Sequence, residues 1–240
     1  TSLPGWQALH AAYESQGFTV VTVALDLDPA QARPWIDEAA PTHPSLIDSH
    51  HLVDELLGIN NVPMALWIDE GGTLVRPAES ASVEASPLRT MEITDDLPER
   101  MRVALTEIKK IPDEAEAYRA AIVDWITNGA ASRFSLSPDE VIAASLPRPI
   151  EHSRAAALFG LGCHLHDTVG KAAAGPYWKE AHALHPENWT YKRQAWTLES
   201  TPPGEPSDLS QDVEDTYGTT WLDDVLALGG GEAYGIRPAL

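Results

Sequence analysis

The stretch from Leu52 to Val75, LVDELLGINNVPMALWIDEGGTLV, decides how the first third of this chain folds. An apolar helical segment ends at Gly58, and the pair Val62-Pro63 follows soon after. A proline at the start of an apolar strand removes a hydrogen-bond donor from the sheet and restricts φ, so it is costly unless the fold needs it. The predicted elements are a helix over 52–57, a buried strand over 64–68, a tight turn over 69–72 and a second strand over 73–75.

The residues before this stretch alternate between helical and extended patterns. The apolar positions of residues 3–16 have helical spacing, and Gly17 is suited to end that helix. The run FTVVTVAL over 18–25 is nearly continuous in apolar residues, as is typical of a parallel strand buried on both faces. The remaining predictions are a helix over 31–39 with Trp35 and Ile36 facing inward, and a strand over 45–47. This order predicts an α/β unit with parallel crossovers and a final hairpin.

The order of elements, with a proline before the 64–68 strand, resembles the thioredoxin superfamily, and in particular the membrane-tethered disulfide reductases of the TlpA/ResA type. The resemblance covers residues 1–77, and peroxiredoxins are related through the same fold and proline. It implies that the Val62-Pro63 bond is cis and that the backbone of Val62 pairs with an extended substrate. It also makes Trp35 and Asp26 candidates for the lining of the substrate groove.

The redox motif of that family is absent from these 240 residues. In the family a C-x-x-C opens the first helix, a few residues before a proline to which Pro4 corresponds. We therefore expect the motif, or a selenocysteine in its place, to lie upstream of Thr1, together with the central strand that precedes it. Ser2 stands where ResA-like proteins often carry an acidic residue. The single cysteine, Cys163, lies outside the thioredoxin-like part, so dithiol exchange is not assigned to this chain.

Composition narrows the classes of partner. The chain has 36 acidic and 16 basic residues and a formal net charge of −20, which disfavours nucleic acid and anionic membranes as partners. No apolar run is long enough to span a bilayer. One cysteine excludes an internal disulfide framework and fits a reducing compartment. We therefore expect a cytoplasmic protein with no membrane partner in this chain, no cofactor and no metal.

The remaining chain predicts a different architecture, all-α and helical. Residues 78–96 are polar, with serine and proline, and predict a linker or edge excursion with an edge strand over 89–93. Residues 97–200 have helical periodicity, and residues 201–240 predict a loosely structured tail with one docking helix over 217–228 and a flexible end. The fold class is thus an α/β thioredoxin-like domain, incomplete at its N-terminus, followed by a helical region.

One part of the helical region, residues 155–188, resembles a single tetratricopeptide repeat. The resemblance implies two antiparallel helices over 153–168 and 172–184, and a capping helix over 187–198. A single repeat cannot bury its own face, so we expect it to pack on neighbouring helices. The residues that match the repeat pattern are Leu158, Gly162, Leu165, Ala174, Trp178, Ala181 and Pro186.

Three groups of side chains admit a chemical interpretation beside a structural one. Cys163, His166 and Asp167 share a helix face, but zinc normally takes four ligands, so a buried thiol is favoured over a metal site. Asp26 lies after a predicted parallel strand, where α/β sheets place ligands, although turn chemistry is favoured there. Lys192 and its aromatic neighbours form either a peptide or anion groove or, as we favour, part of the core with basic groups reaching solvent.

Two functions of different classes follow. The first is a thioredoxin-like thiol–disulfide (or selenol) oxidoreductase, inactive as given, with a protein disulfide or a peroxide as substrate and a thiol reductant. Its substrate-binding candidates are Val62, Pro63, Trp35 and Asp26. The alternative is a non-catalytic thioredoxin-like/TPR-like adapter whose helical region binds a protein partner.

Overall fold

The computed structural model describes residues 2–145, 147–199 and 209–240. Within them the chain is mixed α/β, with many helices and two small sheets. The helices are α1 (Leu3–Tyr13), α2 (Pro29–Ala39), α3 (Leu52–Leu57), α4 (Glu99–Lys110), α5 (Ala115–Asn128), α6 (Pro138–Ala144), α7 (Ile150–Thr168), α8 (Lys171–Leu184), α9 (Trp189–Glu199), α10 (Gln211–Tyr217) and α11 (Trp221–Ala227). The strands are β1 (Thr22–Ala24), β2 (Ser45–Ile47), β3 (Met64–Ile68) and β4 (Leu74–Ser80). No helix in the described ranges is long and apolar enough to cross a bilayer.

The chain divides into two compact units, and each is made of separate segments. The first unit comprises residues 1–84, 114–148 and 236–240, and the second comprises 85–113 and 149–235. The helices α5 and α6 therefore belong with the sheets, although the sequence analysis assigns their residues to the helical region.

The first unit holds both sheets. In one, β1 and β2 are parallel, with Thr22 opposite Ser45 and Ala24 opposite Ile47. In the other, β3 and β4 are antiparallel and irregular in register around Trp67. The structure has helix α3 and strands β2 and β3 at their predicted bounds, and the bond Val62-Pro63 is cis as predicted.

Two predictions about burial in this unit are wrong. The run 18–25 is a strand only over Thr22–Ala24, and the Val21 side chain is 53% exposed, so the segment is not buried on both faces. In the described residues β1 pairs with β2 alone. The sheet is therefore narrow, and fewer segments pack against the faces of β1. Trp35 is 52% exposed rather than inward-facing, because α2 buries only Ala32.

Strand β4 is longer than predicted and carries the chain into the region expected to be a linker. It pairs with β3 as far as Ser80, whose N–H also donates to the carbonyl of Ile236 at 2.8 Å. The next residues, Ala81 and Val83, are buried. The predicted edge strand over 89–93 is wrong, because Pro87 opens a short 3-10 helix, Pro87–Thr90, in that place.

The core of the first unit joins α1, the β3–β4 hairpin and α5. Helix α5 contributes Tyr118, Ala121 and Ile122, which are at most 2% exposed. The indole Nε1 of Trp67 donates to the Tyr118 hydroxyl at 2.9 Å. The buried members of this core are Leu9, Trp67, Val75, Ala81, Val83, Tyr118, Ala121, Ile122 and Phe134.

The second unit is helical, and α7 packs along α8. Gly162 lies directly against Trp178, since a Cβ at that glycine would stand 2.5 Å from the indole. Ala174, Trp178 and Ala181 have no exposed surface. Gly162 and Trp178, two residues of the repeat pattern, thus meet where α7 packs on α8.

The C-terminal segment is better ordered than a loose tail. Helices α10 and α11 contribute Val213, Trp221 and Val225 to a second core, which contains Trp196 of α9. Apolar burial explains the difference, because these short helices cover a tryptophan-rich surface. The proline-rich linker predicted over 201–206 lies outside the described residues.

Candidate functional site

The carboxyl ends of the parallel strands β1 and β2 form one edge of the first unit. The N–H of Asp48, after β2, donates to the carbonyl of Ala24, the last residue of β1, at 2.8 Å. Asp26 follows β1 by two residues, so Asp26 and Asp48 belong to the same edge. In open α/β sheets this is the edge at which ligands bind.

The Asp48 carboxylate accepts two backbone hydrogen bonds around the start of α3. Its Oδ2 accepts the N–H of Val53 at 2.7 Å, and its Oδ1 accepts the N–H of His50 at 3.1 Å. A carboxylate at the N-terminal end of a helix satisfies donors that lack a partner within the helix. The helix itself begins at Leu52, with His51 at its N-cap position.

His51 and Asp54 form a buried pair next to this edge. Nδ1 of His51 lies 3.0 Å from Oδ2 of Asp54, and both residues are 3% exposed. His51 has φ of 53°, in the left-handed region that non-glycine residues adopt uncommonly. A left-handed conformation at a buried histidine that pairs with a carboxylate points to a positioned group rather than to an unconstrained surface loop.

The pKa of Asp26, after β1, is shifted from its usual value. Burial raises the pKa of Asp26 above its usual value, the nearby His51 lowers it in part, and Asp28 raises it. Asp28 itself serves as the N-cap of α2, since its Oδ1 accepts the N–H of Ala30 at 2.9 Å. A half-buried carboxyl whose pKa is raised by burial is a common feature of functional sites.

The loop before β3 presents Val62 to solvent, with 44% of its surface exposed. Its N–H donates to Oδ1 of the buried Asn61 at 2.9 Å, and the carbonyl of Pro63 accepts the N–H of Ala81 at 3.1 Å. A substrate that pairs with the Val62 N–H therefore has to displace the Asn61 side chain.

The four predicted substrate-binding residues thus occupy three places in the unit. Val62 and Pro63 share the loop before β3, Trp35 is exposed on α2, and Asp26 lies after β1. The structure brings Asp26 together with His51 and Asp28. No pattern in the sequence indicates His51, because two adjacent histidines on one helix would point apart, whereas His51 precedes α3 in a left-handed conformation.

The second unit resolves two of the chemical interpretations in structural terms. Lys192 is 3% exposed, its Nζ lies 3.0 Å from Oδ2 of Asp224 and 4.6 Å from the centre of the Trp189 ring. Burial lowers the pKa of Lys192, and Asp224 counters this. Lys192 therefore belongs to the core rather than to an open groove, but its amine is buried and does not reach solvent as predicted. Cys163 lies on α7 and is half-buried.

A cluster that the sequence analysis missed lies at one end of the α7–α8 pair, where His152, His185 and Glu187 bring their ligand atoms within 4.8 Å of one another. His152 and His185 are far apart in sequence and join only because α7 and α8 are antiparallel neighbours. The tetratricopeptide resemblance implies that antiparallel geometry and was the one signal able to reveal the cluster.

No model of a protein family, no curated protein and no solved structure matches this chain.

Proposed function

We propose that the first unit is the substrate-holding part of a thioredoxin-like thiol–disulfide (or selenol) oxidoreductase, and that it binds an extended polypeptide at the loop before β3. The observation that carries this proposal is the exposed Val62, which stands before Pro63 at the entrance to β3. By the thioredoxin resemblance, the loop before this proline pairs with an extended substrate through backbone hydrogen bonds.

The proton chemistry of the same unit supports the proposal. Thiol exchange needs a thiolate nucleophile, and the mixed disulfide needs a proton for the departing sulfur. Asp26, with its raised pKa and its neighbour His51, is the group of this unit best suited to hold that proton. The redox nucleophile itself is a cysteine or selenocysteine that these 240 residues do not include, since Cys163 belongs to the second unit.

A non-catalytic adapter is the second candidate, and the position of Cys163 favours it. With the single cysteine on α7 of the second unit, the first unit as described binds a peptide without reacting with it. Both candidates use the same peptide-binding surface of the first unit. Only the oxidoreductase also needs a redox nucleophile.

Peptide binding tests the surface. We expect a peptide library in extended form to yield binders whose affinity falls in V62D, because a carboxylate in the loop before β3 repels peptide carbonyls. V21D is the matched control, since Val21 is an equally exposed valine of the same unit. Binding that is equal in V62D, or lost equally in V21D, contradicts the proposed surface.

The coding sequence upstream of Thr1 separates the two candidates. A β-branched strand followed by C-x-x-C, by one cysteine or by an in-frame selenocysteine codon supports the oxidoreductase. A strand without any of these supports the adapter. An insulin-reduction assay on the 240-residue chain is expected to give no turnover in either case.

A further inference from the structure

We propose that His152, His185 and Glu187 form a binding site for one divalent transition-metal ion, with Zn²⁺ as the ion that fits best. The three side chains come from the first turn of α7, the residue that ends α8, and the loop that leads to α9. Two imidazoles and one carboxylate are a ligand set that zinc accepts, with a fourth position left for water. This site is independent of the oxidoreductase proposal.

The distances from the two histidine nitrogens to the Glu187 oxygen are longer than direct hydrogen bonds and close to those between ligands of one metal ion. Nε2 of His152 lies 3.5 Å from Oε1 of Glu187, and Nε2 of His185 lies 3.9 Å from the same oxygen. A direct hydrogen bond would bring these atoms to about 2.7–3.2 Å. Ligand bonds of about 2.0–2.1 Å in a tetrahedron place neighbouring ligand atoms about 3.4 Å apart. The cluster is therefore slightly wider than an occupied site and can contract around an ion.

The backbone on either side of the cluster is held in place. The N–H of His185 donates to the carbonyl of Ala181 at 3.0 Å, and its carbonyl accepts the N–H of Asn188 at 3.0 Å. The N–H of His152 donates to the carbonyl of Pro149 at 3.1 Å. Fixed backbone at both histidines reduces the entropy that an ion has to overcome when it orders the side chains.

The ring of His185 has an aromatic support. It meets the buried Tyr191 edge to face, with ring centres 6.3 Å apart, and Tyr191 in turn stacks on Phe159 at 4.2 Å. The ring of His185 is thus more fixed than that of His152, because 12% of the His185 side chain is exposed and 23% of the His152 side chain is exposed.

Binding requires one rearrangement that the site allows. The two imidazoles stack, with centres 3.5 Å apart and planes 11° apart. The lone pair of an imidazole nitrogen lies in the plane of the ring, so a shared ion needs one ring to turn out of the stack. The more exposed His152 is the ring we expect to turn, while the half-exposed carboxylate of Glu187 closes over the ion.

Calorimetric titration of the 240-residue chain with Zn²⁺ alone tests the site, and we expect one saturable equivalent. In H152A and in E187Q we expect the affinity to fall by at least about tenfold, because removal of a ligand costs no less than removal of its supporting group. E187Q changes a half-exposed side chain and keeps its shape, which guards against a loss of folding.

Two control variants make the assignment specific. His164 is exposed on the same helix, and H164A is expected to keep full affinity. C163S is likewise expected to keep it, which distinguishes this cluster from Cys163, His166 and Asp167. The proposal is overturned if the unmodified chain binds no Zn²⁺, if H152A and E187Q bind as tightly as it does, or if C163S abolishes binding.

Discussion

Arg76 and Glu79 of strand β4 form a two-bonded ion pair inside the first unit. Nε of Arg76 donates to Oε1 of Glu79 at 2.7 Å, and Nη2 donates to Oε2 at 2.9 Å. Arg76 is 1% exposed and Glu79 is 5% exposed. The same guanidinium donates to the carbonyls of Phe134 and Ala239, so one side chain joins β4 to two distant segments of its unit.

Removal of one partner of this pair is expected to be strongly destabilising. In E79A the guanidinium of Arg76 stays buried without its countercharge, and we expect the free energy of unfolding to fall by about 3–5 kcal/mol. Urea unfolding monitored by tryptophan fluorescence measures the change. R33A is the control, because Arg33 is exposed on α2 of the same unit, and it should change stability by no more than about 0.5 kcal/mol. An E79A protein as stable as R33A contradicts the account of the pair.

The buried Tyr118, which accepts a hydrogen bond from Trp67, is expected to change the stability of the chain at alkaline pH. Burial raises the pKa of Tyr118 well above that of an exposed tyrosine. The unfolded chain therefore ionises first, so the contribution of Tyr118 to stability is present below about pH 10 and is lost as the pH rises beyond it.

Y118F tests this contribution. It leaves the Trp67 N–H without its acceptor, and we expect a loss of about 1–3 kcal/mol at neutral pH. The difference between the two proteins should shrink as the pH rises above about 10. A difference that is constant over that range would show that Tyr118 ionises equally in the folded and unfolded chains.

Two glycines of α7 are expected to respond in opposite directions to the same substitution. G162A places a Cβ 2.5 Å from the Trp178 ring and should destabilise the second unit by about 1–3 kcal/mol through overpacking. G160A meets nothing within 4 Å and should stabilise α7 by up to about 1 kcal/mol, because alanine is the better helix former. Thermal unfolding of the two variants compares them directly, and equal shifts contradict the packing of α7 on α8.

The acidity of Asp26 is expected to depend on its two charged neighbours. Since His51 lowers the pKa of Asp26 and Asp28 raises it, H51Q should move that pKa up and D28N should move it down. An NMR titration of the Asp26 carboxyl carbon measures both shifts. Identical titration curves in the two variants and the parent chain would falsify the electrostatic description of this edge.

The raised pKa of Asp26 also predicts how D26N changes the stability of the chain. Because the folded state raises the pKa of Asp26, it favours the neutral form, and the stability that protonation provides is lost as the pH rises through the folded pKa. D26N keeps the carboxamide neutral, so it should stabilise the chain at neutral pH and have little effect below the pKa of the unfolded carboxyl, about 3.9. Denaturant unfolding at both pH values is the measurement.

Much of the local structure follows from short signals in the sequence. The helix over 52–57 and the strands over 45–47 and 64–68 have their predicted bounds, and a capping box of Ser137 and Glu140 starts α6. Gly17 ends the first helical segment with a positive φ of 83°. These features depend on residues within a few positions of one another.

Burial was harder to predict than element type. The run 18–25 has the composition of a buried strand, yet Val21 is exposed, because the exposure of a strand depends on which segments pack against it. Trp35 is exposed for the same reason, since α2 buries only Ala32 against the rest of the unit. A periodic pattern identifies a helix but does not identify its neighbours.

The sequence alone therefore determined that most of the helices and several strands form, and that Val62-Pro63 stands before β3, because caps, turns and side-chain periodicity act over a few residues. Only the tertiary structure decided that residues 236–240 return to the first unit, that Arg76 reaches Phe134 and Ala239, and that His152 meets His185 and Glu187. These contacts join positions far apart in the chain, and their formation depends on how whole elements pack rather than on any local preference.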